Sequence, residues 1–191
     1  MLNHKGSKII ETERLNLRPF TMADADAMFR NWASDGEVTK YITWPTHESV
    51  EITKMVLSDW TSHYAESDFY NWAIVPKEIG EPIGNISVVR INPKTGCATM
   101  GYCMSRAHWH RGIMPEALNA VVDFLFGEVG FNRIEAEHAA GNPASGRVME
   151  KAGLRYEGTH RQAGKCNAGI VDLVWRAILK EDWREHHEQT H

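Results

Sequence analysis

Cysteine is scarce in this chain. Cys97, Cys103 and Cys166 are the only three in 191 residues, and no two form a C-x-x-C pair. An odd, scattered set builds neither a disulfide framework nor a zinc ribbon, so a reducing cytoplasm is the expected location. A basic excess is also missing. There are 21 Lys and Arg against 25 Asp and Glu, a net charge of -4, and the pI is near 6.2. That balance argues against direct binding of nucleic acid, which calls for clustered positive charge. No apolar run approaches membrane-spanning length, and no apolar core follows the opening "MLNHKGSK", so neither a membrane partner nor a secretion signal is expected. Internal repeats and low-complexity linkers are absent as well.

What is present suits one globular domain. Apolar residues make up 42% and charged residues 24%, ordinary proportions for a chain of this length. A single domain over 9–183 is expected, between a polar leader (1–8) and a polar tail (184–191). "IIETERLNLRPF" (9–20) alternates like a half-buried strand that ends at Pro19. Thr21 then resembles a helix N-cap, with Asp24 as its acidic partner, and the helix runs on through Met28 and Trp32. A second helix is expected after Pro45, capped by Thr46, with Val50, Met55, Val56 and Trp60 as its apolar stripe. Strands are expected over 69–76, 81–91 and 97–105 as a meander, then over 132–139 and 170–179. Helices are expected over 116–130 and 142–154, ended by Gly130 and Gly153. The order β-α-α-β-β-β-α-β-α-β predicts an α/β (α+β) fold: a mixed, mostly antiparallel central sheet with helices on both faces.

The stretch "HWHRGIMPEAL" (108–118) joins a strand to a helix. Pro115 suits the first helical position, where a missing N–H loses nothing. The free N–H groups of that first turn and the helix dipole attract phosphate. Gly112 permits close approach of backbone to a ligand, and Arg111 adds a charged donor. An ordinary loop is the alternative. A metal site on His108 and His110 is a further one, but no cysteine or acidic ligand lies nearby in sequence, and no metal is expected.

"MGYCMSRAHWHRGIMPEAL" followed by "NRIEAEHAAGNPASGRVMEKAGLRYEG" resembles the GNAT superfamily of acetyl-CoA-dependent N-acetyltransferases, most of all its RimJ/RimL-type branch. "ETERLNLRPF", Gly101–Tyr102, Trp109 before Gly112, and Asn142 and Ser145 in N-x-x-S carry the likeness from about Ile9 to Trp183. The resemblance implies the acyl-CoA N-acyltransferase fold and acetyl-CoA as cosubstrate. His110, Arg111, Gly112, Ile113, Met114 and Pro115 would cradle its pyrophosphate. Tyr102, Cys103 and Met104 would pair their backbone with the pantetheine arm, and Asn142 would hydrogen-bond that arm. Met114 replaces the family's usual small residue, so its side chain is expected to point away from the phosphates.

Amide formation requires a neutral amine, a proton acceptor, and a donor for the departing thiolate. The resemblance makes Ser145 the candidate donor, with helix capping as its alternative role. RimL-type members place a glutamate where this chain has Gly164, which leaves the base open. His138 is a candidate because its pKa lies near neutrality; a packed core histidine and a water-relayed proton are the alternatives. Trp44 lies in the segment that shapes the acceptor side in this family, whereas Trp32, Trp60 and Trp72 are expected in the core. The implied acceptor is a primary amine, first of all a ribosomal or other protein N-terminus. A small amine (polyamine, amino acid or antibiotic) and a non-catalytic acyl-CoA sensor are the rivals. Monomer and homodimer both remain open.

Overall fold

The computed structural model describes residues 2–188; residue 1 and residues 189–191, the end of the expected polar tail, lie outside the described part. Among the described residues eight strands form one sheet in the order β1-β2-β3-β4-β5-β6-β8-β7. The strands are β1 (Ile10–Glu11), β2 (Leu15–Arg18), β3 (Asn71–Pro76), β4 (Gly84–Asn92), β5 (Cys97–Met104), β6 (Arg133–Ala139), β7 (Arg155–Cys166) and β8 (Gly169–Leu179). Every neighbouring pair is antiparallel except β5 and β6. The helices are α1 (Ala25–Met28), α2 (Gly36–Thr39), α3 (Val50–His63), α4 (Ile113–Phe124), α5 (Pro143–Lys151) and α6 (Lys180–Glu188). The mixed, mostly antiparallel sheet with helices on both faces matches the expected class.

Strand alternation divides the core in two. Leu15, Leu17, Trp72, Ile74 and Ile86 pack with Leu118, Val121 and Phe126 of the α4 segment. Ala73, Val75 and Cys103 face the other way, toward Met28 of α1, Trp32 of the π-helical turn that follows it, and Leu57 of α3. All six residues of β3 are buried, as expected of a strand covered on both faces.

Several local readings shift. The first strand is two, β1 and β2, joined by a turn in which the Leu15 amide donates to Thr12 Oγ1 at 3.0 Å. Ser49, not Thr46, caps α3; the Thr46 hydroxyl bonds that of Thr39 at 2.5 Å instead. Val50, Val56 and Trp60 of the expected α3 stripe pack on the second core beside the buried Thr53 and Leu57, whereas Met55 is 65% exposed. α4 begins at Ile113, so Pro115 is its third residue rather than its first. The missing N–H still costs nothing there, because first-turn amides lack intrahelical partners. The strand β7 was not expected at all. It is an edge strand, exposed or half-buried throughout and twice irregular in register, so it shows no apolar alternation. Its charged residues suit an edge that must not pair further.

The turn after β2 is held by a partly buried ion pair. Arg18 donates to both Asp24 oxygens at 2.8 Å, and the Thr21 amide donates to Asp24 Oδ2 at 2.8 Å, one arm of the expected capping box. Burial works to raise the Asp24 pKa, but the bonds from Arg18 and Thr21 outweigh it and hold the carboxyl below its ordinary value. Asp24→Ala leaves Arg18 unpaired and is expected to cost about 3 kcal/mol in urea unfolding at pH 7. Because the folded pKa is depressed, the wild-type contribution is present above pH about 4 and fades as pH falls through the folded value. A cost that persisted undiminished below that point would contradict the assignment.

Candidate active site

The only parallel pairing among the described residues determines where a ligand fits. β5 and β6 are paired from Cys97↔Arg133 to Met100↔Ala136. Beyond that point they separate: Gly101–Met104 stays on β4 and Glu137–Ala139 on β8. Alternate backbone groups of Gly101–Met104 therefore face a gap rather than a neighbouring strand. A cavity of about 380 Å³ occupies this region.

Its floor is the start of α4. Gly112 has φ +74° and His110 has φ +62°; two left-handed residues curl the loop so that the free amides of the first turn are presented together. Arg14 fastens this turn from outside. Its Nη1 donates to the Arg111 carbonyl at 3.0 Å and its Nε to Glu116 Oε2 at 2.6 Å, and Thr12 Oγ1 donates to Glu116 Oε1 at 2.5 Å. Trp109 Nε1 donates to the Met104 carbonyl at 2.8 Å, tying the loop to the end of β5. Met114 is 4% exposed and belongs to the core.

Tyr102, Cys103, Met104, His110, Gly112, Ile113, Met114, Pro115, Asn142 and Ser145 all border the cavity. Arg111 is exposed and is not in the lining. The Cys103 thiol points to the opposite face, where Sγ lies 2.9 Å from Asn85 Oδ1 and burial pushes its pKa up to about 12. Only its backbone is turned toward the gap. Asn142 caps α5, its side chain accepting from the Ser145 amide at 3.4 Å. Ser145 is thus inside the helix rather than its cap. The Tyr102 hydroxyl lies 3.0 Å from Ser145 Oγ, and burial pushes its pKa up, which keeps the phenol protonated.

His138 and Trp44 stand apart from the cavity lining. The His138 ring lies within bonding distance of the Ala139 carbonyl (2.9 Å) and packs against Gly146, where a Cβ would meet its Nε2 at 2.6 Å. Burial lowers its pKa. These contacts describe a packed histidine between β6 and α5. Trp44 packs on the second core, its ring 5.2 Å from that of His47 and tilted against it by 51°. No group of three or more His, Cys, Asp or Glu among the described residues could hold a metal ion. Gly164 is crowded: a Cβ there would meet Leu173 Cδ2 at 2.7 Å and Cγ at 2.8 Å, so a glutamate at this position would displace Leu173.

Three features escaped the sequence reading. Glu137 is the first β6 residue past the strand separation and points away from the α5 face that His138 occupies. Like His138 it is not in the cavity lining; its carboxylate makes no hydrogen bond or ion pair among the described residues, and burial raises its pKa against the opposing charges of Arg90 and His160. Arg147 and Lys151, one turn apart on α5, add two cations to the cavity rim. The segment Lys40–Ile42 forms a wall, held by the β7–β8 turn: Asn167 Nδ2 donates to the Thr39 and Trp44 carbonyls, both at 2.9 Å, and the Ala168 amide donates to the Lys40 carbonyl at 2.9 Å.

The family described as "Acetyltransferase (GNAT) domain" matches residues 14–155. The chain belongs to the GNAT acetyltransferases. It is 34% identical over 172 residues to the uncharacterized N-acetyltransferase YoaA of Bacillus subtilis (strain 168), covering 90% of this chain and 97% of that protein. A GNAT-family acetyltransferase from Bacillus anthracis superposes with a TM-score of 0.80 at 26% identity, over 91% of this chain and 99% of the other. RimL, a ribosomal alpha-N-protein acetyltransferase solved in complex with coenzyme A, superposes with a TM-score of 0.81 at 21% identity, over 92% of this chain and 99% of its own. The GNAT fold binds acetyl-CoA, and the residues of this cavity suit it. The curled amides of the α4 turn and the flanking Arg147 and Lys151 are donors for phosphate, and the unpaired edge of β5 offers partners to an amide-bearing arm. No described helix is long and apolar enough to cross a membrane.

Proposed function

We propose that this acetyltransferase passes the acetyl group of acetyl-CoA to a primary amine in a ternary complex, and that the amine is the N-terminus of a protein, a ribosomal protein first of all. One observation carries the transfer reading: an unpaired, half-buried Glu137 stands on one side of the strand separation and the Tyr102–Ser145 hydroxyl pair on the other. In this reading the amides of His110–Met114 hold the pyrophosphate, and Asn142 with the β5 edge holds the pantetheine arm. Glu137 takes a proton from the amine, directly or through water. The amine nitrogen bonds to the thioester carbonyl carbon while a β5 amide steadies the developing oxyanion. As the C–S bond breaks, the Tyr102–Ser145 pair gives the thiolate its proton. The raised Glu137 pKa suits a group that must accept a proton near neutrality.

The donor role is tested by Tyr102→Phe and Ser145→Ala. Each is expected to lower kcat about tenfold to a hundredfold while leaving acetyl-CoA affinity nearly unchanged; equal loss of affinity and kcat would make them binding residues only. The protein acceptor is supported by the shared fold with RimL and is tested by intact-protein mass spectrometry. After incubation with acetyl-CoA and deacetylated ribosomal proteins, one product heavier by a single acetyl group at its N-terminus is expected. Unmodified proteins alongside thiol release on a small amine would transfer the assignment to a small-molecule enzyme.

A further inference from the structure

One wall of the cavity is a strap that other elements hold in place. Residues 40–49, between α2 and α3, form neither helix nor strand, so their backbone groups must find partners elsewhere. Four carbonyls of this stretch and of the α2 end accept from one place, the two-residue tip of the β7–β8 hairpin. Asn167 Nδ2 donates to Thr39 and Trp44, both at 2.9 Å. The Asn167 amide donates to Ile42 at 3.2 Å and the Ala168 amide to Lys40 at 2.9 Å. A hairpin tip ordinarily leaves such donors to water. The strap is tied at its other end too: Asp35 accepts from the Glu37 amide at 2.9 Å and pairs with Arg106 Nε at 3.1 Å, just before the α4 turn. Between the two ties Tyr41 lies over the turn that leads into Asn142, where a Cβ on Gly141 would come within 3.0 Å of its hydroxyl.

The lining of the cavity divides accordingly. The α4 turn, the end of β5 and α5 supply every group assigned above to acetyl-CoA, and the strap residues from Glu37 to Ile42 supply none of them. The strap is therefore the wall left for the acceptor to meet. We infer that Asn167 is a positioning residue for the acceptor amine: it touches neither substrate, and acts by pinning the Thr39–Trp44 strap across the cavity. A displacement of about 1 Å at a site that aligns two reactants can cost up to about a hundredfold in rate. This inference rests on the acetyltransferase reading and holds for any primary amine.

The test compares Asn167→Ala with Asn167→Asp. Alanine removes the two side-chain bonds and keeps the two backbone ones. Aspartate keeps the size but sets a carboxylate against two carbonyl oxygens, so it should push the strap away. The tip is exposed, and neither change should unfold the protein. For the amine that wild type uses best, kcat/KM is expected to fall about threefold in the alanine variant and about tenfold or more in the aspartate variant. A raised amine KM should account for most of that fall, with acetyl-CoA affinity by calorimetry unchanged. Hydrogen exchange over residues 40–44 should quicken in Asn167→Asp while exchange in β3 stays as in wild type. An equal loss of acetyl-CoA affinity, unaltered amine kinetics, or a kinetic loss without faster exchange in the strap would each overturn the inference. A wild type inert toward every amine would instead fault the transfer reading, and this inference would fall with it; an active wild type with indifferent variants ends this inference alone.

Discussion

Protein carrying Gly112→Asp is expected to bind acetyl-CoA about a hundredfold more weakly than wild type by calorimetry, a change of about 3 kcal/mol. Two effects combine. Gly112 has φ +74°, and a residue with a Cβ is disfavoured there by about 1–2 kcal/mol, so the loop relaxes away from the curl that gathers the amides. The new carboxylate also sits where those amides would meet the pyrophosphate, and like charges repel. Gly112→Ala separates the two, since it adds the strain without the charge and should weaken binding by about tenfold or less. Space is not the issue, because the nearest atom to an added Cβ is Arg14 Nη2 at 3.5 Å. Unchanged affinity in Gly112→Asp would refute the phosphate cradle.

The second large effect belongs to Glu137. Glu137→Gln is expected to lower kcat/KM about a hundredfold to a thousandfold with little change in acetyl-CoA affinity. The pH profile gives the sign. Burial lifts the wild-type carboxyl above its ordinary range, so wild-type kcat/KM should fall as pH drops through that raised value. The glutamine variant should lose this limb and keep only the one set by the amine's own ionisation. Stability moves the other way. A carboxyl whose folded pKa is raised binds its proton more tightly in the folded state, so its charged form destabilises the fold at neutral pH. The variant should therefore be at least as stable as wild type in urea at pH 7. A variant with full activity would leave the proton to water alone.

The parts of this site that were legible in the sequence are those built from local chemistry. Gly112, Asn142 and Ser145 lie on turns and helix starts whose residue types advertise their backbone geometry, and all three border the cavity. The apolar spacing of Leu118, Val121 and Val122 revealed α4 because that face packs on the sheet. What stayed hidden depends on pairing between distant segments. "RIEAEHA" alternates apolar and charged residues, so Glu135 and Glu137 read as a solvent face. Only the parting of β5 and β6 beyond Met100 and Ala136 makes Glu137 different from Glu135, which accepts from Thr99 Oγ1 at 2.9 Å. The signal available was the face itself: with His138 grouped beside Ile134 and Ala136, the other face of the strand carried the carboxylates. β7 was missed because an exposed edge strand buries too little to alternate.

The most direct test of the account is amine-dependent thiol release by the wild-type protein, followed as free coenzyme A over a panel of α-amino acyl compounds and simple amines between pH 5 and pH 9. Release is expected to require an amine, to fall on the acid side, and to be suppressed by Glu137→Gln without any loosening of acetyl-CoA. A protein that binds acetyl-CoA tightly yet releases no thiol with any amine across that range would be an acyl-CoA sensor, and the assignments of Glu137, Tyr102 and Ser145 to catalysis would fall together.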